Sequence, residues 1–301
     1  MYIDKKMKTK IVTCIYFDLY GTELGGRPSR NQHYLYSLNS IMNIKNAEFI
    51  IYTNNEKAVI DFYKSNYPDK LSMFYCYEYD LYNTEYKEKI NRIKNIEETK
   101  TSNRCIELQY SKFTWLNKNY KDCDYIYWID AGLCYSGLLP DKMLKIQSNN
   151  YNDKYYGSDY FTNSFVDNLN KFSKDKIMVC AKDNVNNYWD RPLPSKYFLE
   201  NSFSDKYHII GGLFGGNSKL INDLYFKYYE LTNIVLDDSN RLYHEENLLS
   251  CLFFSYPELF VSKHFDIWWH EDNIVGNVGE EKGMNLLKNN KSFYKILEEL
   301  F

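Results

Sequence analysis

Five consecutive aromatic and β-branched residues, Tyr125, Ile126, Tyr127, Trp128 and Ile129, stop abruptly at Asp130, Ala131 and Gly132. Such a run suits a strand buried on both faces, and a strand of that kind needs a sheet covered by other elements. Open α/β sheets bind their ligands in the crevice outside the carboxyl ends of the strands. A carboxylate at that position, followed by two small residues, can reach a metal, a ribose or a phosphate-bound cation. The competing reading is an Asp that merely begins a turn.

The rest of the first half repeats this pattern. KIVTCIYFDL (10–19), AEFIIYTN (47–54) and LSMFYCY (71–77) read as buried strands. Between them, residues 31–43 and the segment NNEKAVIDFYKSNYP carry helical spacing, the second ending near Pro68. Phe113, Leu116 and Tyr120 define a helix that delivers the chain into the 125–129 strand. Strand alternating with helix predicts an α/β fold, a mostly parallel sheet with helices on both faces. The polar segment 84–103 reads as a solvated helix or excursion, and 147–175, rich in Asn, Asp, Ser and Tyr, as a long loop or flap. In the second half IMVCA (177–181) reads as a short strand and YWDRPLPSKYF (188–198) as a loop broken by Pro. Residues 207–231 read as strand, glycine turn and amphipathic helix. No repeat or linker divides the chain, so residues 1–301 are read as a single domain.

Composition excludes some functions. The net charge is −3 with no basic stripe, which argues against nucleic acid as a partner. No stretch approaches the roughly 18 apolar residues of a membrane span, and the first ten residues lack the apolar core of a secretion signal. Seven scattered Cys without a CxxC pair fit reduced thiols. The expected location is cytoplasmic.

Several constellations could carry chemistry. Gly211, Gly212, Gly215 and Gly216 bracket Leu213 and Phe214, where glycine permits either close ligand approach or tight packing. In RLYHEENLLSCLFF (241–254) both Glu245 and Glu246 flank a buried stripe through Leu242, Leu249 and Phe253. Partly buried carboxylates are costly without a cation, donor or substrate, although acids also suit a helix's first turn. KHFDIWWHED (263–272) offers His264 as a metal ligand and Trp268 or Trp269 as a stacking surface, against a structural role for each. Lys112, on the helix before the central strand, could meet a diphosphate or simply face solvent.

Two resemblances follow. YFDLYGTEL (16–24) resembles the first signature of haloacid-dehalogenase-type hydrolases, with Asp18 as nucleophile, but a matching acidic motif later in the chain is missing. In order, KIVTCIYFDL, FIIYTN, YIYWIDAGL, HIIGGLFGGNSKLINDLYFKYYE and EENLLSCLFFSYPELF resemble the HtrL/YibB-type family across residues 11–265. That family is linked to bacterial surface-polysaccharide synthesis and placed among glycosyltransferases of the GT-A fold, which implies a place in the cytoplasm or peripheral to a membrane-bound glycan-assembly pathway. The resemblance implies a nucleotide-diphosphate sugar donor bound by residues 1–135 and a glycan acceptor received by residues 136–301. It places Phe17, Asp18, Lys112, Gly211 and Gly212 at the donor, and Asp130, Glu245 and Glu246 in catalysis. Asp130 takes the place of the first acid of the Asp-x-Asp motif, while Gly132 stands where many such enzymes have the second, metal-ligating acid. Either His264 or another acid joins Asp130 around a divalent cation, Mn²⁺ or Mg²⁺, or the enzyme works without tightly held metal. A non-catalytic protein that binds a nucleotide or glycan on the same scaffold is the third reading.

Overall fold

The computed structural model describes residues 7–17, 30–81, 85–94, 106–131, 164–183, 193–200, 202–204 and 207–265. Their strands are β1 (Thr9–Ile15), β2 (Ala47–Thr53), β3 (Phe74–Glu78), β4 (Tyr125–Ile129), β5 (Ile177–Asp183), β6 (Tyr207–Asn217) and β7 (Phe260–Phe265). The helices are α1 (Arg30–Ile41), α2 (Glu56–Asn66), α3 (Lys87–Lys94), α4 (Ile106–Asn119), α5 (Phe165–Ser173), α6 (Ser218–Asp238) and α7 (Glu245–Ser255). All seven strands join one sheet in the order β3-β2-β1-β4-β6-β5-β7. β6 runs antiparallel to both its neighbours, and the other pairings are parallel.

Period-two alternation sorts the core into two layers. Val12, Ile50, Ile126, Trp128, Val179 and Phe214 face one layer, covered by side chains of α3, α4, α6 and α7. Ile11, Ile51, Tyr127, Ile129, Met178 and Leu213 face the other, covered by α1, α2 and α5. This is the doubly covered, mostly parallel sheet that the sequence predicts. Because Asp130 continues the parity of Ile126 and Trp128, it emerges on the side of α4 and α7.

From β1 the chain proceeds to β2 and β3 on one side, and β4 lies on the other side of β1. The boundary between β1 and β4 is therefore a topological switch point, where helices depart to opposite faces and leave a crevice at the strands' carboxyl ends. Phe17 and Asp130 both follow strand ends at that edge. Asn54 fastens Phe17 there: its side-chain carbonyl accepts from the Phe17 N–H and its amide donates to the Phe17 carbonyl, each at 2.9 Å.

Two local expectations are corrected. The 147–175 segment is not all loop, because Phe165, Val166 and Leu169 bury one face of α5 against the sheet. The glycines of 211–216 do not make a turn; β6 continues straight through them. Instead the pairing with β5 jumps from Val179–Phe214 to Cys180–Ile210, so Gly211, Gly212 and Leu213 bulge out of that ladder. Gly215 has φ +145°, and a Cβ there would lie 2.3 Å from the Ile126 carbonyl oxygen.

Candidate active site

β6 is longer than β4, whose last register partner is Ile129 with Leu213. Beyond that point the 207–211 edge of β6 has lost its strand neighbour, and unpaired backbone donors there would be costly. Helix α7 covers the edge with side chains one turn apart. Glu246 Oε1 accepts the Gly211 N–H at 2.7 Å, and Ser250 Oγ accepts the Ile209 N–H at 3.1 Å. The helix begins at His244, whose N–H donates to Asn247 Oδ1 and whose ring meets Gln109 of α4. Packing between α4 and α7 thus carries both glutamates to the carboxyl end of β4.

Lys112 lies at the centre of the cluster. It stands three residues before Trp115 and four before Leu116, on the buried face of α4, and is only 4% exposed. Its ammonium donates to the Gly211 carbonyl at 3.0 Å and to Glu245 Oε1 at 2.6 Å, and pairs with Asp130 Oδ1 at 3.0 Å. The Trp128 ring supports it from 5.2 Å. Gly211 is required by this convergence, because a Cβ there would fall 2.5 Å from Glu245 Oε1.

Asp130 is the outward member. The Trp128 indole N–H donates to its Oδ1 at 2.7 Å, and Lys112 holds the same oxygen. The Asp130 side chain nevertheless remains 42% exposed. Its own N–H donates to the Gly212 carbonyl, locking the backbone beside the bulge. Glu246 is partly exposed, with Oε2 2.9 Å from His208 Nε2.

The charges are interdependent. Burial is the largest influence on Glu245 and pushes its carboxyl up to about 7, with Glu246 and Asp130 adding to the rise and Lys112 opposing it. Burial would also raise Glu246, but the hydrogen bond and charge of His208 and the Gly211 N–H outweigh it and hold that carboxyl well below its ordinary range. On Lys112, burial favours the neutral amine, but Asp130 and Glu245 prevail and keep the ammonium charged. Three carboxyls share one ammonium and one imidazole, so the most deeply buried acid is the one whose proton is hardest to remove.

The structure therefore brings together Asp130, Glu245, Glu246, Lys112, Gly211 and Gly212. It turns the Lys112 ammonium toward protein oxygens, where the sequence suggested a diphosphate. Phe17 lies at the same sheet edge, while Asp18 and Gly132 fall outside the described residues, as do Trp268 and Trp269. His264 lies in β7, opposite Ala181. β4 and β7 are three strand spacings apart in the order, roughly 14 Å of sheet. The residue that sequence reasoning missed is His208, an isolated His in an apolar strand whose partner lies 38 positions later. Its only signal was a titratable group three residues before the start of a glycine cluster.

No family model and no curated protein matches the chain, so the HtrL/YibB-type resemblance rests on the residues quoted for it. Among solved structures, the chain is similar to a 4-diphosphocytidyl-2C-methyl-D-erythritol synthase from Anaerococcus prevotii, with 13% identity, 90% of this chain and 95% of that one covered, and a TM-score of 0.39. It is also similar to mouse xyloside xylosyltransferase 1, with 10% identity, 88% and 90% covered, and a TM-score of 0.43. Among the described residues, no helix is long and apolar enough to cross a membrane, and Cys76, Cys123, Cys180 and Cys251 are free thiols.

Proposed function

We propose that the chain is a glycosyltransferase that moves a sugar from a nucleotide-diphosphate donor to a glycan acceptor. The observation that carries this reading is Asp130, a carboxylate fixed through one oxygen at the carboxyl end of β4, beside a topological switch point, and still open to solvent. A carboxylate so held is an oriented acceptor for hydroxyl groups, which a sugar and a ribose both present. In transfer, the bond from the anomeric carbon to the donor diphosphate breaks, the nucleoside diphosphate leaves with that electron pair, and the acceptor oxygen bonds to the same carbon as its proton passes to a carboxylate of the site. Positive charge grows on the sugar ring during this exchange, and fixed carboxylates stabilise it most when their positions are set in advance. Asp130 and Glu246 are assigned that task, with Glu245 and Lys112 beneath them. Phe17, Gly211 and Gly212 border the donor side of the same crevice.

Acting as a metal ligand is a poor fit for the described part of this site. The Asp130 oxygen directed inward is occupied by an ammonium and an indole N–H, and no three described His, Cys, Asp or Glu side chains group around one point.

Thermal-shift measurements with UDP, GDP, CDP and ADP, followed by nucleotide release from the matching sugar donors, test the reading. Stabilisation by one nucleotide and donor turnover that is lost in Asp130→Asn are expected. Binding without turnover reduces the protein to a nucleotide- or glycan-binding scaffold. Phosphoester hydrolysis that disappears in Asp18→Asn replaces the assignment with the hydrolase.

A further inference from the structure

Three oxygens from separate elements converge on one point behind Asp130: Oδ1 of Asp130 after β4, Oε1 of Glu245 on α7, and the Gly211 carbonyl in the β6 bulge. Two negative groups and a carbonyl dipole aimed at one point are the donor set that hard cations take. Here the point is filled by Lys112 Nζ, at 3.0, 2.6 and 3.0 Å from those oxygens respectively. These are hydrogen-bond lengths, longer than the roughly 2.0–2.1 Å that Mg²⁺ requires. An ammonium has three N–H donors, and the three oxygens account for all of them. The Trp128 face and the 4% exposure of Lys112 leave little route for exchange with solvent ions. A glycine at 211 is what allows Glu245 Oε1 to come close enough to complete the set.

We propose that Lys112 is a resident cation of the active site: a positioning residue that neutralises Asp130 and Glu245 from within, and thereby makes the site independent of a divalent ion. This inference rests on the transferase reading for its purpose. Its physical content is that the ammonium and a divalent ion compete for one place. Two positive charges within a few ångströms repel strongly in a site that water enters poorly. An ion drawn to Asp130 would therefore have to overcome Lys112 as well as shed its own water. Removing the ammonium should convert the same three oxygens into a metal site.

Mn²⁺ alone is the probe, titrated into the full chain while the electron paramagnetic resonance signal of free aqueous Mn²⁺ is followed. The wild-type protein should take up no stoichiometric Mn²⁺ at concentrations up to 100 µM, roughly what weak, non-specific surface carboxylates would leave free given hard-cation affinities of 10⁻⁴–10⁻³ M for loosely built sites. Lys112→Met keeps the stem of the side chain, vacates the position of Nζ and removes the charge. It should bind about one Mn²⁺ per chain, and adding Asp130→Asn should abolish that binding; one ion per chain is the count that a single set of converging oxygens holds. Stoichiometric Mn²⁺ binding by the wild type that Asp130→Asn removes would overturn the proposal. So would a folded Lys112→Met protein that takes up none. The wild-type and Asp130→Asn arms decide the matter even where Lys112→Met fails to fold. No donor is present in any arm, so the outcome is separate from that of the nucleotide and turnover tests. Should a nucleotide bind, its thermal shift is expected to be the same in EDTA as in Mn²⁺, and a shift that vanishes in EDTA counts against the proposal.

Discussion

At the scale of single residues, Asp130 and Gly211 do opposite work. Asp130 is held by Trp128 and Lys112 yet presents its carboxylate outward, so its charge serves the crevice more than the core. Asp130→Asn keeps the size and much of the hydrogen bonding. Its expected effect on donor turnover is a fall in kcat on the order of 10²-fold or more, as for other preorganised electrostatic groups, with a smaller change in KM. Steady-state kinetics on the donor identified by thermal shift measures it, and unchanged kcat would remove Asp130 from the chemistry. Gly211 serves the core. Its Cβ-less backbone admits Glu245 Oε1 to within the space a methyl would fill. Gly211→Ala must displace a carboxylate that Lys112 pins, and overpacking of this kind costs about 1–3 kcal/mol. Chemical denaturation of the variant reads that loss; full wild-type stability would mean that Glu245 moves aside freely.

At the scale of elements, α7 completes the sheet where β4 stops. Ser250 and Glu246 replace the missing strand by accepting the Ile209 and Gly211 N–H groups. Ser250→Ala leaves the Ile209 donor without that acceptor, at a cost of about 1–3 kcal/mol for a buried group. The Ile209 amide should then exchange hydrogen faster than its neighbours in β6, and hydrogen exchange followed by NMR would show it. Exchange at the wild-type rate would mean that the edge finds another partner. Much of this architecture was legible in the chain. The strands β1, β2, β4 and β5 and the helices α1, α2 and α4 follow from local periodicity, which burial on a sheet imposes directly. The carboxyl edge marked by Asp130, and Glu245 and Glu246 beside an apolar stripe, were legible for the same reason. The course of β6 was not. Glycines signal freedom of backbone, and only the neighbours Ile126 and Glu245, distant in sequence, decide that this freedom serves close packing and not a turn. Nor was the target of Lys112, because two of its three oxygen partners lie 99 and 133 positions away and no local pattern encodes such pairings.

At the scale of the whole molecule, the buried charges set how stability responds to pH. Glu245 has a folded pKa of about 7 against 4.5 for an unperturbed carboxyl. The folded state therefore holds this proton over a range in which the unfolded chain has already released it, and stability falls as pH rises through that range. The contribution is fully present below pH 4.5 and lost by the time the pH has passed about 7. Glu246 has the opposite sign. Its folded pKa lies below 4.5, so its contribution is present above that value and is lost as the pH falls further. A melting temperature followed by differential scanning fluorimetry should decline from pH 5 to pH 8 because of Glu245, and separately on acidification below pH 4.5 because of Glu246. Glu245→Gln retains an acceptor for Lys112 but has no proton to lose. Whatever its overall stability, its melting temperature should be flatter between pH 5 and pH 8 than that of the wild type. His208→Gln should instead weaken the hold on Glu246 and begin the acid-side decline at a higher pH. An equal slope in Glu245→Gln and wild type over pH 5–8 would mean that Glu245 stays ionised throughout, with the Lys112 ammonium prevailing over burial.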